Sequence, residues 1–369
     1  MARSARHALF RGSRHCVQAL ACIAATAGIV VATTGCAAPA SHASAATDAA
    51  GRTFLQRYVA ADGRVVRRDQ GGDTVSEGQA YAMLIAVAQH DRTRFQVIWS
   101  WTQAHLQRPD HLLAFHWASG HVVDRNPAPD ADLDAAIALL QAGRLFARPA
   151  WTAAGTAIAN SVLTYETVTA SPGALVVAGT WATADPATLN PSYVVSGEAR
   201  LLARLTGNAG WTPVAAATAS LDRSLAARFP LPPDWATLAG DAQAGDATAT
   251  GAPDGSQPVQ YGLDAPRLII RLAASCSASD RALAATYARR LGAPGAVGER
   301  TLSGAPLVTW RHPLTDVALY AARTAAGDRR GAATALAAAA AQDRHYPTYY
   351  GAAWLALAPE LFGSLKETC

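Results

Sequence analysis

Apolar residues recur at helical spacing in about a dozen separate segments, and this periodicity restricts the fold more than any other feature of the chain. Alanine is abundant in these segments, and it is the best helix former because it loses no side-chain entropy on folding. Most connections between neighbouring segments are short, which is typical of helical hairpins. Helices are predicted near residues 52–60, 77–89, 92–106, 130–146, 149–164, 194–205, 211–227, 261–274, 279–290, 313–325, 328–341 and 350–362.

Two arrangements fit this all-α pattern. One is an (α/α)6 barrel, a toroid of six helical hairpins whose inner helices are buried on both faces and whose outer helices keep one polar face. The other is a helical bundle with inserted loops, which periodicity alone does not separate from the toroid. Three longer connections, residues 165–192, 229–260 and 294–312, interrupt the series, and loops of this length tend to carry function. Within the first, residues 174–178 predict a strand.

The N-terminal region has the pattern of an export signal. An Arg-rich start is followed by an apolar run over residues 17–31 and then by small residues. Thr34-Gly35-Cys36 resembles a lipoprotein processing site with Cys36 as the acylated residue, and ordinary cleavage after Cys36 is the alternative. We therefore expect a signal peptide over residues 1–36, a flexible Ala/Ser linker over 37–50 and one catalytic domain over 51–369. The protein would be exported, either periplasmic, membrane-anchored or secreted.

Composition excludes several classes of function. The formal net charge of +4 comes from the leader, because four of the 31 basic residues and none of the 27 acidic ones lie before residue 46. The remainder has no run of Lys or Arg, so no nucleic-acid partner is expected. Lys366 is the only lysine, which argues against Schiff-base chemistry and a P-loop. Cys276 and Cys369 are candidates for one disulfide. No Cys/His spacing indicates a metal site, so no metal or cofactor is expected. The protein is also expected to be a monomer.

Acidic residues stand at the starts of three predicted helices, in a chain with only 16% charged residues. Glu77 opens an almost wholly apolar helix, and a helix that is apolar on all sides is buried. A carboxylate at this position interacts favourably with the helix dipole, which is a purely structural explanation. The functional explanation is a carboxylic acid in a desolvated cleft, with its pKa raised so that it can donate a proton.

The other two acidic segments allow the same pair of explanations. Asp130, Asp132 and Asp134 follow two prolines that hold the approach to a helix extended. Three acids exceed what capping requires, and buried acids usually have a partner, a ligand or a catalytic duty. Asp264 has Arg267 within reach across one helical turn. That pair is either a structural salt bridge or a carboxylate that Arg267 keeps ionised to activate water. Acids held apart on a rigid scaffold are what glycoside hydrolysis requires.

Taken together, the acidic segments resemble those of glycoside hydrolase family 8, and the resemblance runs over residues 52–362. Its main motifs are Ser-Glu-Gly-Gln-Ala-Tyr-Ala-Met-Leu at 76–84, Pro-Asp-Ala-Asp at 129–132 with Ile-Ala-Leu-Leu at 137–140, and Tyr-Gly-Leu-Asp-Ala-Pro-Arg at 261–267. Supporting segments are Asn-Pro-Ser-Tyr at 190–193, Leu-Pro-Pro-Asp-Trp at 231–235 and Tyr-Tyr-Gly at 349–351. Within the family, the chain looks most like endoglucanases associated with bacterial cellulose synthesis.

The resemblance implies a fold, a reaction and a set of roles. It implies an (α/α)6 barrel that cleaves a β-1,4-glucan internally with inversion, in association with a cellulose-synthesis complex. Glu77 would be the general acid, Asp264 the general base that activates water, and Asp130 the residue that holds the sugar at the cleavage point. Asp132 and Arg267 would belong to the substrate site, Arg267 chiefly by orienting Asp264. An inverting pair needs roughly 6.5–9.5 Å between its carboxyl groups.

Aromatic residues are candidates for platforms under sugar rings. Trp117, Trp181 and Trp235 lie in or beside predicted loops, although most buried tryptophans are simply part of a core. Tyr193 and Tyr261 are stronger candidates because they lie within matched motifs.

Departures from the family pattern bear on the substrate. Pro129 stands where Ser or Thr is common, Pro266 replaces an aliphatic residue and Val194 stands where an aromatic is frequent. Chitosan and xylan are therefore alternative substrates; extra acids in the cleft would favour cationic chitosan, whereas aromatic stacking favours neutral glucan. A non-catalytic polysaccharide-binding lipoprotein is a further alternative, against which the retained acids argue. A polysaccharide lyase with a helical toroid is the last alternative. Lyase chemistry needs a base and a group that neutralises the charge of a uronate, and the three acids fit hydrolysis better.

Overall fold

Helices dominate the computed structural model, which describes residues 40–365, with side chains from residue 49 onward. The helices of this part of the chain are α1 (Ala40–Tyr58), α2 (Ser76–Ala88), α3 (Arg92–His105), α4 (Pro129–Leu145), α5 (Pro149–Tyr165), α6 (Ser196–Thr206), α7 (Trp211–Arg228), α8 (Ala265–Ala274), α9 (Ala278–Arg290), α10 (Pro313–Ala325), α11 (Arg329–His345) and α12 (Tyr349–Phe362). The strands are β1 (Thr74–Val75), β2 (Ala114–Ala118), β3 (His121–Pro127), β4 (Thr167–Ala170), β5 (Gly173–Val176), β6 (Ala187–Leu189), β7 (Trp235–Leu238) and β8 (Thr248–Thr250).

The even-numbered helices form a closed inner ring. Each packs against the next in the order α2, α4, α6, α8, α10 and α12, and α12 returns to α2. The odd-numbered helices lie outside, each against an inner partner: α3 on α2, α5 on α4, α7 on α6, α9 on α8, α11 on α10 and α1 on α12. This is the predicted (α/α)6 barrel. The ring closure excludes an open helical bundle.

Burial separates the two rings as the sequence pattern predicts. In α2 every residue except Glu77 is buried, and in α8 nine of ten are buried. In outer helix α11 the buried residues are Ala332, Ala335 and Ala339, a single stripe at helical spacing. The inner helix α6 is the least buried of the inner ring, because only four of its 11 residues are buried. The apolar periodicity therefore indicates not only helices but also the ring to which most of them belong.

Two helices begin four or more residues away from their predicted starts, and the others begin within two residues of theirs. The predicted linker over residues 37–50 is helical from Ala40, because its alanine-rich sequence allows α1 to extend from its anchored end, where Phe54 and Tyr58 are buried. Helix α8 begins at Ala265 rather than at 261. The backbone of Tyr261 instead pairs with Arg300, each N–H donating to the other's carbonyl oxygen at 2.9 Å.

Three small antiparallel sheets lie in the connections between helices: the first in the connections before α2 and α4, and the other two within residues 165–192 and 229–260. They comprise β1-β2-β3, β4-β5 and β6-β7-β8. The strand predicted over 174–178 is confirmed as β5. In the third sheet β6 pairs with β7, with Leu189 opposite Ala236, so residue 190 after β6 and residue 234 before β7 lie at the same edge. Asn190 and Asp234, which are 44 positions apart in the chain, therefore lie at the same edge of this sheet.

Several predictions concern residues that the structure does not describe. The signal peptide, the acylation site at Cys36 and Cys369 lie outside the described residues. Cys276 is disulfide-bonded, and its pairing with Cys369 stays a prediction. Among the described helices, none combines the length and the apolar character that a membrane span needs.

Candidate active site

The three acidic segments meet at one end of the barrel. Glu77 lies in the first turn of α2, Asp130 lies in the first turn of α4, and Asp264 immediately precedes α8. The inner helices that carry them present their N-termini to the same end of the ring. Residues far apart in the chain therefore form one cluster.

Arg267 is the centre of this cluster. Its Nη1 donates to Glu77 Oε1 at 2.7 Å and to Asp130 Oδ2 at 2.5 Å, and its Nη2 donates to Asp264 Oδ1 at 2.7 Å. The guanidinium is 1% exposed, Asp130 is 2% exposed, and Glu77 and Asp264 are 21% and 30% exposed. One buried cation thus binds three carboxyl groups, of which Glu77 and Asp264 are the more open to the cleft.

The environment of Glu77 favours its protonated form. Burial raises its pKa to about 8; the nearby Asp130 carboxylate acts in the same direction, and Arg267 opposes both. The Tyr81 hydroxyl also lies 3.2 Å from Glu77 Oε1. At neutral pH Glu77 is therefore mainly a neutral acid that has a proton to give.

Asp264 has a different environment. The pKa of Asp264 is raised, chiefly by burial and further by Asp130; Arg267 and a hydrogen bond from Asn190 Nδ2, 3.0 Å from Asp264 Oδ2, limit this rise because they stabilise the ionised form. The orientation of the Asn190 amide is itself determined, because its Oδ1 accepts hydrogen bonds from the backbone N–H and the hydroxyl of Ser192. The Tyr193 ring packs against the Arg267 guanidinium, whose central carbon lies 5.4 Å from the ring centroid.

A cleft extends to both sides of the two exposed acids. Both of its halves contain Glu77 and Asp264. One half, which we call the Trp181 side, is lined further by Phe115, Asp124, Asn126, Pro127, Ala128, Asp130, Ala178, Trp181, Tyr193, Trp235, Asp254 and Arg267. The other, the Trp310 side, is lined further by Arg67, Asp69, Gln70, Leu263, Trp310, His312, Thr348, Tyr349 and Tyr350. A linear chain can therefore pass across the acids.

The comparisons with known proteins identify the family. The model of glycosyl hydrolases family 8 matches residues 26–266 of this chain. The chain belongs to glycosyl hydrolases family 8. Its membership agrees with the barrel and with the acids at 77, 130 and 264, all of which lie on helices or connections of the matched region.

Individual relatives agree with this assignment. A probable endoglucanase of Novacetimonas hansenii is 35% identical over 49% of this chain and 55% of its own length, so the chain spans about half the length of the curated relatives it matches. The structure of an endo-beta-1,4-glucanase of Acetobacter xylinum superimposes with a TM-score of 0.70 at 28% identity, covering 86% of this chain and 97% of that one. A beta-1,3-1,4-glucanase of Paenibacillus sp. X4 has a TM-score of 0.77 at 18% identity, covering 89% of this chain and 93% of that one, and shows the fold alone.

Some sequence-predicted site residues line the cleft of this family 8 chain. Glu77, Asp130, Asp264 and Arg267 do so, and so do the three aromatic residues Trp181, Trp235 and Tyr193. Trp181 is 45% exposed, so its ring is open to the cleft.

Three other candidates do not line the cleft. Asp132 is fully buried and its Oδ1 accepts a hydrogen bond from the Leu113 backbone, because its position in the first turn of α4 points it to the barrel wall. Tyr261 is fully buried, with Arg300 packed over its ring. The Trp117 ring packs against that of Trp101. Substrate contact by Asp132 and Tyr261 finds no support in these buried positions, and substrate contact by Trp117, which is half-buried, stays a prediction.

Other residues that line the cleft or contact its acids were not predicted from the sequence. Asn190 and Tyr350 lie within the motifs at 190–193 and 349–351, but a motif does not tell which of its side chains contacts the acids. Trp310 is 44% exposed and lies in the long connection after α9. Phe115 lies in β2, which no pattern predicted. Within residues 49–365 no cluster of three His, Cys, Asp or Glu side chains is arranged to hold a metal ion.

Proposed function

We propose that this protein is an endo-acting glycoside hydrolase that cleaves β-1,4-glucan with inversion. The observation that carries the proposal is the pair of exposed acids, Glu77 and Asp264, at the point where the two halves of the cleft meet. A site in mid-cleft favours cleavage within a chain over cleavage at its end. The names of the relatives, endoglucanase and endo-beta-1,4-glucanase, support the same substrate class.

The reaction assigns one proton transfer to each exposed acid. Glu77, kept neutral by its surroundings, protonates the glycosidic oxygen as the bond to the anomeric carbon breaks. Asp264 accepts a proton from the water that attacks the opposite face of that carbon. Asp130, bound to Arg267 at the floor of the cleft, is the residue to which the family resemblance assigns the holding of the sugar at the cleavage point. Glu77 and Asp264 bind different nitrogens of Arg267, so one guanidinium fixes the positions of both acids. An inverting pair needs roughly 6.5–9.5 Å between its carboxyl groups to leave room for water.

Reducing-sugar release from carboxymethylcellulose tests this function. We expect Glu77→Gln and Asp264→Asn each to lower kcat at least ~100-fold, because general acid–base catalysis contributes about 10²–10⁴-fold. Asp241→Asn, at an exposed loop position, is the matched control and should keep full activity. Full activity of either active-site variant would overturn the role of that residue, and a first-formed product with retained anomeric configuration by NMR would overturn inversion.

Chitosan is the second candidate substrate. Two further carboxylates, Asp124 and Asp254, line the Trp181 side, and Arg267 is the cation of that side. A glucosamine ammonium group would be attracted there, whereas a neutral glucan gains nothing from these charges. Asp124→Asn with Asp254→Asn should lower activity on chitosan and leave activity on a neutral soluble glucan, hydroxyethylcellulose, intact. Equal activity of this double variant on chitosan would remove the candidate.

We also propose that the protein is exported and carries a lipid on Cys36. The Arg-rich start, the apolar run and Thr34-Gly35-Cys36 support this processing. The intact mass of the mature protein from a bacterial host should include a lipid that Cys36→Ala removes. A mature chain without lipid, cleaved after Cys36, would favour the ordinary signal. Association with bacterial cellulose synthesis stays a prediction from the resemblance.

A further inference from the structure

Asp264 occupies a position where an aspartate ordinarily serves its own helix. It is the N-cap residue of α8, and N-cap aspartates accept hydrogen bonds from N–H groups of the first turn. Its carboxylate makes no such bond; its oxygens bind Arg267 and Asn190 instead. The first turn of α8 must therefore obtain its acceptors elsewhere, because unpaired buried N–H groups are costly.

Asp234 supplies the missing acceptor from another part of the chain. Its Oδ1 accepts from the Ala265 N–H at 2.7 Å and from the Gly262 N–H at 3.0 Å. Its own N–H donates to the Gln260 carbonyl oxygen at 2.9 Å, and it is 2% exposed. These bonds hold the backbone on both sides of Asp264.

Pro266 removes a second competitor for the Asp264 carboxylate. As the next residue of the first turn, it has no N–H to donate. The Arg267 N–H donates to the main-chain oxygen of Asp264 at 3.0 Å. With the Ala265 N–H taken by Asp234, none of these three positions is left with a free donor for the Asp264 side chain.

We propose that Asp234 is a positioning residue for the general base, because its Oδ1 caps α8 in place of Asp264 and leaves the Asp264 carboxylate free for catalysis. The proposal rests on the role of Asp264 in the proposed function. Without Asp234, the Ala265 N–H would attract the Asp264 carboxylate away from Arg267 and Asn190, since short acidic side chains readily bond to nearby backbone donors.

Gly262 provides a second way to disturb the same contact. A Cβ atom at this residue would lie 2.2 Å from Asp234 Oδ2 and 2.6 Å from Gln260 Nε2. The close approach of Asp234 therefore requires glycine here. Gly245→Ala is the matched control, because a Cβ there meets only ordinary contacts, the nearest at 3.5 Å.

Steady-state kinetics on carboxymethylcellulose separate positioning from a general structural role. We expect Asp234→Ala and Gly262→Ala to lower kcat by ~10–100-fold with KM changed less than about 3-fold, because a small misplacement of a catalytic group is costly whereas substrate binding is unaffected. Asp234→Asn keeps the accepting oxygen and should retain at least about a third of kcat. Burial raises the pKa of Asp234 to about 7, so a neutral amide also matches its protonated form in the acid range.

Two results would overturn the proposal: Asp234→Ala with near wild-type kcat, or Asp234→Asn as impaired as Asp234→Ala. If Asp234→Ala does not fold, Gly262→Ala against Gly245→Ala decides. Amide hydrogen exchange at Ala265 tests the positioning role of Asp234 independently of activity, so a failure of this proposal can be told apart from a failure of the proposed function. The Ala265 amide should exchange faster in Asp234→Ala and not in Asp234→Asn, whatever the substrate, whereas lack of activity in the wild type would contradict only the proposed function.

Discussion

At the scale of single residues, Arg267 determines how the acids differ. Its Nη1 is shared by Glu77 and Asp130, while its Nη2 binds Asp264. Asp130 is buried beside the guanidinium, and its negative charge contributes to the raised pKa of Glu77. Asp264 additionally accepts from Asn190, which stabilises its ionised form. The same cation therefore serves a proton donor and a proton acceptor.

The pKa of Glu77 predicts the alkaline limb of the pH profile. A general acid must be protonated in the free enzyme, so kcat/KM should decline as pH rises through about 8. An aryl cellobioside with an acidic phenol as leaving group needs less protonation, so with that substrate Glu77→Gln should regain part of its activity. A kcat/KM that stays constant up to pH 10 on carboxymethylcellulose would contradict the assignment of Glu77 as the acid.

At the scale of elements, α4 and α8 are joined by two ion pairs one turn apart. Asp130 pairs with Arg267 at the cleft, and one turn deeper Asp134 binds Arg271 through two hydrogen bonds of 2.9 and 2.7 Å. Glu198 of α6 also binds Arg271, at 2.7 Å. The deeper layer connects three inner helices, and its residues follow those of the catalytic layer by four positions on α4 and on α8.

Removal of Arg271 alone should be strongly destabilising. Arg271→Met leaves Asp134 and Glu198 buried without their cation, and breaking a buried pair in this way costs about 3–5 kcal/mol. The triple variant with Asp134→Leu and Glu198→Met should recover most of that loss, because well-packed apolar side chains can replace buried ions. Urea denaturation measures both free energies of unfolding. A triple variant less stable than Arg271→Met would contradict this account.

At the scale of the whole molecule, the barrel encloses carboxyl groups that take no part in the site. Neither Glu166 oxygen has a hydrogen-bond partner among the described residues, and burial raises the pKa of this carboxyl to about 8. Burial also raises the pKa of Asp132 and of Asp222. A folded state that holds these protons more tightly than the unfolded chain gains stability at low pH.

Stability should therefore decrease as pH rises. The contribution of Glu166 is fully present below its unfolded pKa of about 4.5 and is lost as pH approaches its folded pKa of about 8, a change on the order of a few kcal/mol. Glu166→Gln cannot ionise, so it should be more stable than the wild type at pH 9 and show a smaller pH dependence. Urea midpoints at pH 5 and pH 9 measure this. Glu299→Gln is the control, and equal pH dependence in Glu166→Gln and the wild type would contradict the prediction.

The sequence predicted the helices of the barrel well because the relevant signals are local. Apolar spacing, alanine content and prolines at helix starts act within one helix, and Glu77, Asp130 and Asp264 could be located from their motifs. Local signals failed where a distant segment decides the conformation. Tyr261 lies in a backbone pairing with Arg300, and this pairing both delays the start of α8 and buries the tyrosine.

The sequence by itself determined an all-helical chain, its acidic motifs and its resemblance to family 8. Only the tertiary structure decided that the inner helices close into a ring and that one arginine binds three carboxylates. It also decided which aromatic side chains reach the cleft: Trp310 does and Trp117 does not. The physical reason is that periodicity defines a residue's face on its own helix or strand, whereas the cleft is defined by packing between segments that are remote in sequence.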